Sequence, residues 1–219
     1  MELKYEVLIT EMERTGPDII RFRTQRPVPF PVTPGNAVLI GIPGSSCEPG
    51  PFSPVGGPLD LYLEFFIKIY RSHDGLTEGL EQCKAGDALQ ISEAFGSIEY
   101  KGAGHFLAAG TGITPFLAIF RQLEAQGSLE GNRLYYTETT RAEVIQEREF
   151  REMLGDNVEI ILTEEGDDRL DGGYLKKKIS DPAGSRFYIC GPPDFVDEMK
   201  EAAMNLGATE DAIIIETEA

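Results

Sequence analysis

The chain changes rhythm once along its length. Up to about residue 100, apolar and polar positions alternate with the period of two that marks β-strands. Residues 6–12 alternate, 19–23 follow a Gly16-Pro17-Asp18 turn, and 37–40 form an apolar run opened by Pro34-Gly35. The clearest segment is 61–70, where Leu63, Phe65, Ile67 and Ile69 fall on one face and Glu64, Phe66, Lys68 and Tyr70 on the other. Residues 88–92 and 98–100 complete about six short strands punctuated by Gly and Pro, which predicts a small antiparallel β-barrel. Residues 43–58, rich in Gly, Pro and Ser, read as a long irregular loop, a kind of segment more often functional than idle.

From His105 onward strands alternate with helices. Apolar runs occupy 106–109, 134–136, 158–162, 187–190 and 213–215, and helical patterns fill about 115–126, 144–154, 173–179 and 193–206. In the first helix Phe116, Ile119, Phe120 and Leu123 stand at i, i+3, i+4 and i+7, with Gly127 as a stop. Such alternation predicts a parallel sheet covered on both faces, with ligands at the carboxyl ends of its strands where the strand order reverses. The expected architecture is therefore two-domain: an N-terminal antiparallel β-barrel over residues 1–101 and a C-terminal α/β parallel-sheet domain over 102–219.

Composition narrows the functional classes. Hydrophobic residues at 41% and charged residues at 26% are those of an ordinary globular chain of 219 residues. Twenty Lys plus Arg against 37 Asp plus Glu give a net charge of −17, which repels phosphate backbones and anionic lipid. That argues against nucleic-acid and peripheral-membrane roles. The acidity fits a well-solvated surface, a salt-adapted host or a face for basic partners, and composition does not choose among them. Cys47, Cys83 and Cys190 are too few for a disulfide framework or an all-cysteine iron–sulfur site. His73, in a turn, and His105, opening a strand, have no metal-ligand spacing, so no metal is expected. The opening MELKYEVLITEMERTG lacks a signal-peptide pattern and no run approaches the ~18 apolar residues of a membrane span, so the expected location is cytoplasmic.

Two motifs close strands and open helices. In Ala108-Ala109-Gly110-Thr111-Gly112-Ile113-Thr114-Pro115-Phe116, glycines allow close backbone approach, Thr114 suits an N-cap and Pro115 the first helical turn. Free N–H groups there favour a phosphate, although the same residues also suit a tight turn without ligand. Tyr188-Ile189-Cys190-Gly191-Pro192-Pro193-Asp194 occupies the equivalent place on a later strand, where Cys190 either faces the crevice or is a small buried residue.

A small barrel, then GTGITPF, then a terminal CGPPD before a last helix and strand resembles the ferredoxin–NADP reductase superfamily, most closely its stand-alone bacterial flavodoxin/ferredoxin reductase-like branch. The resemblance covers nearly the whole chain and includes Pro34-Gly35-Asn36, Gly86-Asp87 and Phe95-Gly96 in family order. It implies a flavin, FAD or FMN, held by the barrel, and NADH or NADPH bound by the α/β domain. The family motif Arg-x-(Tyr/Phe)-(Ser/Thr) falls on Gly50-Pro51-Phe52-Ser53, so Phe52 packs on the ring and Ser53 lies near its N5. Lys68, Ile69 and Tyr70 match the second flavin segment, and Thr77 the hydroxyl before a short helix near the flavin phosphates. Gly110, Thr111, Gly112, Thr114 and Pro115 serve the dinucleotide and the flavin. Cys190 lies by the nicotinamide, with Gly191, Pro192 and Phe195 around it. Ser53 and Cys190 are the implied catalytic pair. Glu138 and Glu143, after the second strand of the sheet, favour NADH, whereas Arg141 and Thr140 leave NADPH open.

One departure stands out. Gly50 occupies the family's arginine position, and a charge-assisted bond of ~1.5–3 kcal/mol is lost, roughly tenfold to a hundredfold in flavin affinity. Either Lys68 or Arg71 supplies the charge, or flavin binds weakly. The terminal Thr217-Glu218-Ala219 carries no aromatic lid, and Glu216 is either a proton relay or the end of an edge strand. The implied activity is transfer of hydride from NAD(P)H to flavin, and of electrons onward to a separate ferredoxin- or flavodoxin-type carrier or docked redox partner. The alternatives are an NAD(P)H:flavin reductase using flavin as substrate, and a cofactor-free interaction module.

Overall fold

The two rhythms become two sheets in the computed structural model, which describes residues 1–57, 60–71, 75–96, 98–182 and 184–216. Strands β1 (Leu3–Arg14), β2 (Ile19–Gln25), β3 (Val38–Gly41), β4 (Gly50–Phe52), β5 (Tyr62–Lys68) and β6 (Ala88–Ser92) form one antiparallel sheet in the order β4-β3-β6-β1-β2-β5. The sheet curls into a nearly closed barrel around Val7, Ile20, Phe22, Leu63, Phe65 and Ile91. Its two edges, β4 and β5, do not pair as strands. Beyond the end of β4 a single backbone bond, Val55 N–H to the Glu64 carbonyl at 2.8 Å, ties them together.

Strand β5 shows the alternation read from the sequence, but neither of its faces meets water. Leu63, Phe65 and Ile67 point into the barrel, whereas Phe66 joins the apolar cluster of the second domain and Glu64 is 3% exposed. The short helix α1 (Leu76–Glu81) follows it. Two expectations are corrected. Residues 98–100 form no strand: the Ile98 N–H bonds the Gly35 carbonyl at 3.1 Å, its side chain enters the interdomain core, and Tyr100 stacks on Tyr188 with ring centroids 5.8 Å apart. Within the expected loop, Gly50–Phe52 pairs with β3 as β4.

The second sheet contains β7 (Gly104–Ala109), β8 (Arg133–Glu138), β9 (Val158–Leu162), β10 (Arg186–Cys190) and β11 (Ile213–Ile215), all parallel, in the order β11-β10-β7-β8-β9. Helices α2 (Thr114–Ala125) and α3 (Glu147–Leu154) cover one face through Phe116, Phe120 and Phe150. Helices α4 (Gly172–Lys178) and α5 (Pro193–Asn205) cover the other through Leu175 and Met199. The chain winds outward from β7 in both directions, so the order reverses between β7 and β10, where Ala108 stands opposite Cys190.

The two domains share a core and a buried ionic chain. Ile19, Val55, Phe66 and Ile98 pack in one cluster with Phe116 and Ile119 of α2. Arg121 of α2 donates to the Val55 carbonyl at 3.0 Å, to Glu64 at 3.1 Å and to Glu149 of α3 at 2.6 Å, while Arg23 holds the other Glu64 oxygen at 2.8 Å. No helix among the described residues is long and apolar enough to cross a membrane.

Candidate functional site

The open seam of the barrel faces the switch point of the parallel sheet, and between them lies a cleft of about 620 Å³. Phe52 and Ser53 at the end of β4, with Phe66, Lys68 and Tyr70 from and beyond β5, form the barrel wall. The sheet contributes the carboxyl ends of β7, β8 and β10: Gly110 to Gly112 with Thr114 and Pro115, then Glu138, then Cys190 with Gly191 and Pro192.

The two glycines of the first turn serve different needs. Gly110 has φ +59°, a left-handed conformation that lets the chain leave β7. Gly112 needs space instead, because a Cβ there would lie 2.4 Å from the Cys190 carbonyl oxygen. The turn therefore rests directly on the end of β10, and both motifs meet in one place. Residues 110–113 wind as a 3-10 turn that runs into α2, so Thr114 is the first helical residue and not the N-cap expected from the sequence. Its hydroxyl donates to the Thr111 carbonyl at 2.9 Å and locks the turn. Pro115 follows within the first turn, as expected.

Cys190 is 5% exposed, and burial, reinforced by the nearby Glu216 carboxylate, pushes its thiol well above the ordinary range. It is a neutral thiol, so its place in the cleft is that of a compact orienting surface and not of a nucleophile. Ser53 is buried at the cleft wall, and among the described residues its hydroxyl has no hydrogen-bond partner within the chain. That free hydroxyl, beside the Phe52 ring and across from the tightly apposed turn, fits a flat heterocycle with a polar edge.

Lys68 spans the two domains. It donates to Glu143 at 3.0 Å and lies 3.8 Å from Glu138. Burial opposes its charge, but the Glu143 hydrogen bond and the two carboxylates outweigh burial and raise its pKa. Glu143 is partly buried, yet Lys68 holds its carboxyl below the usual range, and its carboxylate also accepts from the Thr140 N–H at 3.2 Å. Burial raises the Glu138 carboxyl, against the pull of Lys68 and of the Tyr136 hydroxyl, which donates to it at 3.0 Å. Of the two acids expected beside the ribose, only Glu138 lines the cleft. Arg141 is held by both oxygens of Glu147.

Three other sequence candidates lie off the cleft wall. Ile69 is buried in the barrel core, the Thr77 hydroxyl accepts the Tyr70 N–H at 3.1 Å, and Phe195 packs beneath Gly191 against the far-side core. His73 and residues 217–219 fall outside the described residues. Sequence reasoning passed over Thr163, which lines the cleft just past β9, although the carboxyl-end rule points to it. Among the described residues no cluster of His, Cys, Asp and Glu is arranged for a metal ion.

Residues 106–201 match the family model described as an oxidoreductase NAD-binding domain. The chain is 26% identical, over 90% of its length, to the reductase component of propane 2-monooxygenase from Mycolicibacterium goodii. It superposes with a TM-score of 0.83 on a ferredoxin NADP+ reductase from Neisseria gonorrhoeae crystallised with FAD and NADP, at 20% identity, covering 94% of this chain and 93% of that one. The chain is similar in sequence and fold to ferredoxin–NADP reductase-like proteins. It also matches, at 23% identity over 94% of its length, the ferredoxin–NAD(P)+ reductase component of the naphthalene 1,2-dioxygenase system of Pseudomonas putida. It spans 62% and 66% of the lengths of those two reductase components. A relative of more similar length is NADH-cytochrome b5 reductase 2 of Rattus norvegicus, 25% identical over 97% of this chain and 94% of that protein.

Proposed function

We propose that the chain is an NAD(P)H-dependent flavoprotein reductase that takes hydride from a nicotinamide dinucleotide and passes electrons to a separate acceptor. The observation that carries this reading is the meeting of the barrel seam, through Phe52 and Ser53, with the ends of β7 and β10 in one cleft. FAD or FMN bound there would supply the N5 acceptor atom and the conversion of one hydride into two single-electron steps. The chain's own part is positional. Phe52 offers a ring face, Ser53 a free hydroxyl, and the Gly110–Thr114 turn, locked by Thr114, fixes how closely the second heterocycle approaches. Cys190 stays protonated and shapes the floor without giving up its proton. Glu138, buried at the end of β8, suits the free diol of NADH better than the 2′-phosphate of NADPH.

The acceptor is a ferredoxin- or flavodoxin-type carrier or a docked redox partner, in keeping with the reductase components this chain resembles. The deciding measurement is the visible spectrum of the flavin-reconstituted protein before and after anaerobic NADH and, separately, NADPH. Bleaching by NADH at the lower concentration is the expected result. A flavin band that neither donor bleaches would refute the assignment.

A further inference from the structure

The cleft is well made for rings and poorly made for phosphates. Among the described residues Lys68 is the sole cation on its wall, and Glu143 and Glu138 already neutralise it from 3.0 and 3.8 Å. Arg71, which follows the wall residue Tyr70, is bound by Asp18 and by both oxygens of Glu81, the second at 2.8 and 3.2 Å. Arg14 is drawn to the same Glu81. The first turn of α1 carries Glu78, one of whose carboxylate oxygens is buried without a partner. Position 50, on the same face of β4 as Phe52, is a glycine over which Leu76 closes, since a Cβ there would lie 3.0 Å from the Leu76 methyl. Among the described residues, every cation near the seam is already committed to carboxylates, and Glu138 and Glu216 leave the wall net negative.

Resting on the proposed function, we infer that the cleft selects flavin by its ring system and is indifferent to its phosphate, so that riboflavin and FMN bind alike. A phosphate brought to this seam finds no unpaired cation, and a charge-assisted bond of the kind that usually separates FMN from riboflavin by tenfold or more is missing. The free hydroxyl of Ser53 and the Phe52 face are common to both ligands. Flavin held this way exchanges with the pool in solution, and the phosphate adds no salt sensitivity of the attractive kind.

The test is titration of flavin-free full-length protein with riboflavin and with FMN, read by flavin fluorescence, at about 20 mM and about 500 mM salt. The expected result is a Kd for FMN within about threefold of that for riboflavin, with FMN binding no weaker at high salt. FMN binding more than about threefold tighter than riboflavin, or losing affinity as salt rises while riboflavin does not, would overturn the inference. No binding of either flavin would overturn the inference and the reductase reading together. Equal binding of flavins that NADH fails to bleach would sink the reductase reading and leave the ring selectivity standing.

Discussion

Gly112→Ala puts a methyl carbon 2.4 Å from the Cys190 carbonyl oxygen, 2.5 Å from its carbonyl carbon and 2.6 Å from the Gly191 nitrogen. All three are backbone atoms at the end of a central strand, so no side chain can rotate away. Ordinary contact begins near 3.4 Å, so the turn must lift from β10 by about 1 Å. Overpacking of this kind costs ~1–3 kcal/mol. For a chain of this size the melting temperature falls by about 2–4 °C per kcal/mol, giving a loss of about 2–12 °C. The larger consequence is geometric, because this contact seats the cleft-lining 110–113 turn on the end of β10. A displacement of about 1 Å in a positioning element costs on the order of a hundredfold in rate.

Gly110→Ala is the control. Its Cβ meets nothing within 4 Å, so its cost is the strain of φ +59° in a residue with a side chain, about 1 kcal/mol. The assay is stopped-flow reduction of bound flavin at saturating NADH, with thermal unfolding of the same samples. Gly112→Ala should slow reduction about a hundredfold and Gly110→Ala by less than about tenfold. A Gly112→Ala protein with unchanged melting temperature and reduction rate would refute the claim that this backbone contact builds the cleft.

Arg121→Met should remove one of the two guanidinium groups that hydrogen-bond the buried Glu64, leaving Arg23 at 2.8 Å and Arg21 at 3.9 Å, and lower the melting temperature by about 6–20 °C, whereas Arg121→Lys should recover part of the loss. Gly50→Arg should tighten FMN by about tenfold to a hundredfold and leave riboflavin unchanged, measured by the same fluorescence titration; Leu76 has only to yield a few tenths of an ångström. His105, whose ring packs against Phe187 and Tyr135, has its pKa lowered from 6.5 to about 4 by burial and by Arg133. The unfolded chain therefore takes the proton first, so the stability this histidine contributes is complete above pH 6.5 and is lost as pH falls toward about 4. The loss is on the order of 3 kcal/mol, and His105→Phe should flatten that part of a denaturant-measured stability profile.

The parts of this molecule that were legible in its sequence are those in which one local signal decides the structure. The alternation along β5 placed Leu63 and Phe65 inside the barrel, and the turns after 109 and 190 fell at strand ends that the sheet order brings together. Illegible parts depend on distant partners. Gly50-Pro51-Phe52 carries a glycine and a proline, both poor strand residues, and becomes β4 only because β3 pairs with it. Residues 98–100 look like a strand because Ile98 and Tyr100 alternate with the charged Glu99, but Ile98 is spent on the interdomain core. Lys68 stood out as a candidate for phosphate, and its neutralisation by Glu143 arises from a residue 75 positions away. A side chain's chemistry can be named from sequence, whereas its availability is a tertiary property.

The same reasoning explains why the cleft lies where it does. A barrel that closed fully would satisfy β4 and β5 with each other and leave no opening. Here the strands part below the Val55–Glu64 bond, and the 110–113 turn of the other domain lies against β5 in place of a sixth barrel pairing. The binding slot is thus bounded on one side by an incomplete sheet and on the other by a switch point, each of which leaves backbone and small residues exposed at its end. Neither domain owns the slot. Its width is fixed by the contacts that join them, among them Phe66 in the shared core, Arg121 between Glu64 and Glu149, and Lys68 between β5 and Glu143. Substitutions in this interface, such as Arg121→Met, should therefore disturb ligand geometry even where they touch no ligand.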